Sequence, residues 1–66
     1  MSAHFEYKEV VGISHVNIEE AIKEAVSAVA KTHKVGWFEL VSLRGRPLED
    51  GELEYQVTVK TGCKAK

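Results

Sequence analysis

The stretch Val35-Gly36-Trp37-Phe38-Glu39-Leu40-Val41, continuing through Ser42-Leu43-Arg44, decides the fold. Phe38 and Leu40 occupy one parity, while Trp37, Val41 and Leu43 occupy the other. Side chains of a strand alternate between faces, so a strand apolar at both parities, here about Trp37 to Arg44, is buried on both. The rest of the chain provides cover for only one of those faces.

That cover is a helix. Asn17 can accept from the free amides of the first turn, and Glu20 completes an Asn-x-x-Glu capping box. Ile18, Ala21, Ile22, Ala25, Val26, Val29 and Ala30 recur at three- and four-residue spacing and form one apolar stripe. The stripe fades at Thr32-His33-Lys34, and Gly36 marks the exit. Ahead of the helix, His4 to Ile13 reads as a strand, with Phe5, Tyr7, Val11 and Ile13 on one parity and Glu6 and Lys8 on the other. A third strand, about Glu52 to Gly62, sets Leu53, Tyr55, Val57 and Val59 against Glu54, Gln56, Thr58 and Lys60. Gly45-Arg46-Pro47-Leu48-Glu49-Asp50-Gly51 is a turn-rich loop suited to an antiparallel hairpin, and Lys64-Ala65-Lys66 reads as a solvated tail.

The predicted architecture is a single α+β domain over residues 1–66 in the order β-α-β-β, a three-stranded antiparallel sheet wrapped on one helix. The helix stripe makes the core with Phe38, Leu40, Tyr55, Val57 and Val59, leaving Trp37, Val41 and Leu43 on a bare face. Below roughly 70–80 residues a single core seldom supplies enough stability without disulfides, metal or oligomerisation. Cys63 is the only cysteine, and His4, His15 and His33 have no metal-ligand spacing. Oligomerisation is the expected remedy, with sister copies covering the bare face.

Nine basic and ten acidic residues give a formal charge of −1, a balance that argues against a nucleic-acid partner. No apolar run approaches the about 18 residues of a membrane span. The charged N-terminus lacks a signal-peptide core, and the single cysteine suits a reducing compartment, so a cytoplasmic location is expected.

Two constellations point to a ligand. Trp37 and Gln56 can share the face away from the helix on neighbouring strands, the indole stacking on a planar ring and the amide both donating and accepting at its polar edge. The alternative makes Trp37 an oligomer contact and Gln56 an ordinary solvent-side residue. Arg44 and Arg46 flank Gly45 and could hold a phosphate or carboxylate, or simply be a solvated hairpin end. The lysines at 60, 64 and 66 suit an anionic cofactor tail or a wet terminus equally. Cys63 reads as a chance thiol, His15 as a surface residue near the helix start, and Glu49, Asp50 and Glu52 as solvated charge. No catalytic set emerges, so an enzyme is not expected.

The runs Tyr7-Lys8-Glu9-Val10-Val11-Gly12-Ile13-Ser14, Glu19-Glu20-Ala21-Ile22-Lys23-Glu24-Ala25-Val26, Trp37-Phe38-Glu39-Leu40, Leu43-Arg44-Gly45 and Glu54-Tyr55-Gln56-Val57-Thr58-Val59-Lys60-Thr61-Gly62 together resemble the dodecin family of small flavin-binding proteins. The resemblance implies a hollow homododecamer in which flavin, as riboflavin or FMN, binds where subunits meet. By that resemblance Trp37 stacks on the flavin, Gln56 contacts the ring edge, and Arg44 matches a basic position near the phosphate end in some members, with Arg46 the weaker candidate. It further implies flavin storage and quenching of its photochemistry, without turnover. Some members also bind coenzyme A, and ions have been seen within the shell, so the rival expectation is a structural shell holding coenzyme A or ions without flavin. Cys63 and Thr61 depart from the family pattern, standing where apolar residues are usual.

Overall fold

The computed structural model describes residues 4–65. Its elements are β1 (Glu6–Ser14), α1 (Ile18–Ala30), β2 (His33–Pro47) and β3 (Leu53–Ala65). Both strand pairings are antiparallel, and the sheet order is β1-β3-β2. The β-α-β-β topology therefore stands as read from the sequence, with β3 central and β2 on an edge.

The helix starts where its local signals lie, but it stops at Ala30, ahead of the exit expected at Gly36, which lies inside β2. Asn17 is extended (φ −165°, ψ 176°), and its side chain accepts from the Glu20 amide at 2.8 Å, satisfying one of the free first-turn donors. Glu19 and Glu20 place negative charge at the positive end of the helix dipole. The Thr32 amide donates to the Val29 carbonyl at 3.1 Å, and His33 begins β2 directly.

Ala21, Ala25, Val57 and Val59 form the buried cluster, with Val10, Ile22, Val26 and Tyr55 packed around it. Gly12 explains the small residues on the helix. A methyl group at Gly12 would strike the Ala21 carbonyl oxygen and lie 2.9 Å from the Ala25 amide nitrogen, so only glycine lets α1 come this close to β1. The helix is thereby seated over β1 and β3. Burying Val57 and Val59 completely contributes about 1.5–3 kcal/mol each.

That placement corrects the expected core. Phe38 and Leu40 do not join it: they are 49% and 48% exposed, because α1 packs mainly on β1 and β3 and less on β2. A groove of about 480 Å³ separates Ile22 and Val26 on the helix flank from Phe38. Tyr55 is half-buried beside the cluster, as expected, and Val57 and Val59 are its centre.

The strands are also longer than their apolar runs. β2 takes in His33–Gly36 at one end and Gly45, Arg46 and Pro47 at the other, and β3 takes in Cys63, Lys64 and Ala65. The register of β2 on β3 shifts between Val35 and Trp37 and between Leu40 and Ser42, so Gly36 and Val41 are extra residues. Pro47 is tolerated because β2 is an edge strand. The connection shrinks to Leu48–Glu52, closed by the Leu48 amide on the Glu52 carbonyl (2.8 Å) and the Gly51 amide on the Leu48 carbonyl (3.1 Å). Within it Asp50 accepts from the Glu52 amide at 3.0 Å. Thr61 and Cys63, fully buried, direct their side chains at the β1 carbonyls of Lys8 (3.1 Å) and Glu6 (3.6 Å). No helix among the described residues is long and apolar enough to cross a membrane.

Candidate ligand-binding face

The face of the sheet away from α1 has no cover among the described residues. Residues directly opposite one another share a face, so the registers define its rows. Tyr7, Gly62 and Trp37 make one row, Glu9, Lys60 and Glu39 the next, then Val11, Thr58 and Ser42, then Ile13, Gln56 and Arg44. The apolar parity of β1, Phe5 through Ile13, lies on this open side: Tyr7 is 60% exposed and Val11 57%.

The bulge at Val41 is what brings Trp37 and Arg44 onto one face. In an uninterrupted strand residues 37 and 44 point to opposite sides; one extra residue restores their parity. The same shift moves Leu43 to the helix side, opposite Val57, which corrects its expected place beside Trp37.

Trp37 is held as a platform. Its indole lies across Gly62, where a Cβ would sit 2.7 Å from the ring atom Cδ2 and closer still to Cε2 and Cζ2. Phe5 braces it at 4.7 Å between ring centroids with a 52° tilt, and Tyr7 meets it edge-on at 6.3 Å and 85°. The indole is nonetheless 39% exposed. Lys60 and Lys64 place their ammonium groups 4.7 Å from the centroids of Tyr7 and Phe5, adding positive charge beside the platform. Lys66 lies outside the described residues.

Gln56 and Arg44 sit side by side at the far end of the same face. Gln56 is six residues along β3 from the Gly62 that carries Trp37, or roughly 20 Å at about 3.3 Å per residue. Trp37 and Gln56 of one protomer share a face, but one flat ring cannot touch both.

Arg46 is engaged elsewhere. Its Nε donates to Glu54 Oε1 at 2.8 Å and its Nη2 to Oε2 at 3.4 Å. His15 Nε2 lies 3.0 Å from Glu54 Oε2, and Gln56 Nε2 donates to Oε1 at 2.8 Å. Glu54 is 8% exposed. Hydrogen bonds from Arg46, Gln56 and His15 hold its carboxyl down at about 2, from an ordinary 4.5. Glu54 in turn keeps the Arg46 guanidinium still more firmly protonated. From the sequence Glu54 is one more wet-parity residue and His15 a surface residue; the structure brings the two together. The signal that could have found them is cross-strand register: once Arg44 pairs with Gln56, Arg46 must pair with Glu54.

Fold and face together define a class: a small α+β protomer that hides one side of its sheet under a helix and presents the other, tryptophan-bearing side to its surroundings. The chain belongs to the dodecin family, whose sequence profile matches residues 5–66. It is 40% identical over 55 residues to the dodecin of Thermus thermophilus, a match spanning 82% of this chain and 80% of that protein. Its structure is similar to that of an arginine-to-alanine variant of the Thermus thermophilus dodecin (TM-score 0.83, 33% identity, 94% of each chain). It is also similar to the dodecin from Streptomyces davaonensis (TM-score 0.82, 30% identity, 98% of each chain).

Proposed function

We propose that this protein binds flavin, riboflavin or FMN, between the subunits of a cytoplasmic homododecamer, and stores it in a photochemically quenched form without turning over a substrate. The reading is carried by the Trp37 indole, seated on Gly62 and braced by Phe5 and Tyr7 yet still 39% exposed. A ring so held adds about 0.5–1.5 kcal/mol per stacked aromatic partner beyond the area it covers. Twelve large apolar side chains stand exposed among the described residues of the lone protomer, more surface than a chain of this size leaves unpaired.

The separation of Trp37 and Gln56 supports a shared site. One copy supplies the indole that stacks on the tricyclic ring, and another supplies the amide that reads its polar edge. Arg44, exposed beside Gln56, supplies cation charge for a phosphate tail. Arg46, tied to Glu54, is a poorer anion ligand than its position in the sequence suggests. Stacking against an electron-rich indole gives the excited ring a rapid electron donor and so a route to quenching.

The test is a titration of riboflavin and of FMN with purified protein, read by flavin emission. Progressive loss of emission at micromolar protein supports the proposal. Unchanged emission refutes it and favours a shell whose ligand is coenzyme A or an ion.

A further inference from the structure

We infer that Glu54 is a positioning residue for ring-edge recognition: its carboxylate fixes which end of the Gln56 amide is presented to the ligand. The inference rests on the flavin reading of the same face and adds a specificity device to it. An ionised carboxylate only accepts hydrogen bonds. With Glu54 Oε1 at 2.8 Å, the Gln56 amide must turn its Nε2 inward, because the flipped amide would set its carbonyl oxygen against the carboxylate. Gln56 therefore presents its carbonyl oxygen and its one remaining N–H.

The carboxylate is itself immobilised. Arg46 grips both of its oxygens, and His15 approaches one of them from the β1 side. Residue 54 is also buried, so the whole arrangement is in place before any ligand arrives. A pre-ordered amide loses little freedom on binding. Its outward carbonyl oxygen matches the imide edge of a flavin, where an N–H stands between two carbonyl groups, and the remaining amide N–H suits one of those carbonyls. A ring methylated at that imide nitrogen offers no proton to the Gln56 oxygen and leaves it unpaired.

The experiment compares riboflavin with 3-methylriboflavin on the assembled protein and on Glu54→Gln, by emission quenching. The wild type is expected to prefer riboflavin by about 5- to 150-fold, the span of one unsatisfied buried acceptor. In Glu54→Gln the neighbouring group both donates and accepts, Gln56 can turn over, and the preference falls toward unity. Equal weakening of both ligands, with the ratio unchanged, would reduce Glu54 to a structural role and overturn the inference. Gln56 is the only glutamine in the chain, so amide-¹⁵N glutamine labelling gives one side-chain NH₂ pair. In ligand-free wild type, one of its protons should be shifted downfield and exchange slowly. Two unshifted, fast-exchanging protons would overturn the inference even where Glu54→Gln fails to assemble. A wild type that shows the protected proton but quenches no riboflavin would refute the flavin reading, and the ring-edge role with it, while leaving the Glu54–Gln56 lock intact.

Discussion

Replacing Gly62 with alanine tests the platform without touching the tryptophan. The added methyl would lie 2.7 Å from Trp37 Cδ2, and nearer to Cε2 and Cζ2. Carbon atoms in ordinary contact are about 3.5–4.0 Å apart, so the indole must withdraw by at least about 1 Å. It can do so by leaving its rotamer well, at a cost of about 0.5–1.5 kcal/mol, and by loosening its contact with Phe5. A stacked flavin then loses a share of the roughly 0.5–1.5 kcal/mol that ring stacking supplies. The rotamer strain is borne with or without ligand and lowers stability, so binding weakens by the lost stacking alone, up to about 0.5–1.5 kcal/mol, or about 2- to 13-fold. The assay is an emission-quenching titration with riboflavin, run beside the intrinsic emission of the protein, which comes from a single tryptophan. The expected result is a weaker affinity and a shifted Trp37 emission from an oligomer of unchanged size. An affinity and an indole spectrum both identical to wild type would refute the seat assigned to Gly62.

Trp37→Ala should abolish quenching while the oligomer persists on gel filtration; dissociation would show the indole to be chiefly a packing residue. Gly12→Ala forces α1 away from β1, because its Cβ meets the Ala21 carbonyl. Overpacking of this kind costs about 1–3 kcal/mol, measurable as a lower urea midpoint, and an unchanged midpoint would argue against the tight helix seat. Acid sensitivity follows from Glu54, whose carboxyl is depressed to about 2 from 4.5. The unfolded chain takes up this proton first, so the stabilisation is complete above about pH 4.5 and is lost as pH falls towards 2. Urea midpoints measured across that window should fall more steeply for wild type than for Glu54→Gln; parallel curves would contradict the assignment.

Local signals made much of this fold legible. Asn17 and the stripe from Ile18 to Ala30 bound the helix correctly, and the alternation through Val57 and Val59 identified the inner face of β3. Two features escaped, each for a physical reason. A bulge leaves no mark on hydrophobic pattern, so the extra residue at Val41 reversed the expected face of Leu43 relative to Trp37. The lateral position of the helix depends on the close approach at Gly12, which pulls it toward β1 and leaves Phe38 and Leu40 half exposed. The sheet face shared by Trp37 and Gln56 was readable from strand parity, whereas their separation along β3 required the register. Glu54 hid in plain alternation: an acidic residue at a wet parity looks solvated until Arg46, His15 and Gln56 are seen to close around it.

Native mass spectrometry of the protein after incubation with riboflavin reads assembly and flavin occupancy in the same ion. A twelve-chain species that retains flavin, with none on any free protomer, is the predicted spectrum. Lone chains without ligand, or flavin held by a single chain, would contradict a site assembled from the bare sheet faces of neighbouring copies.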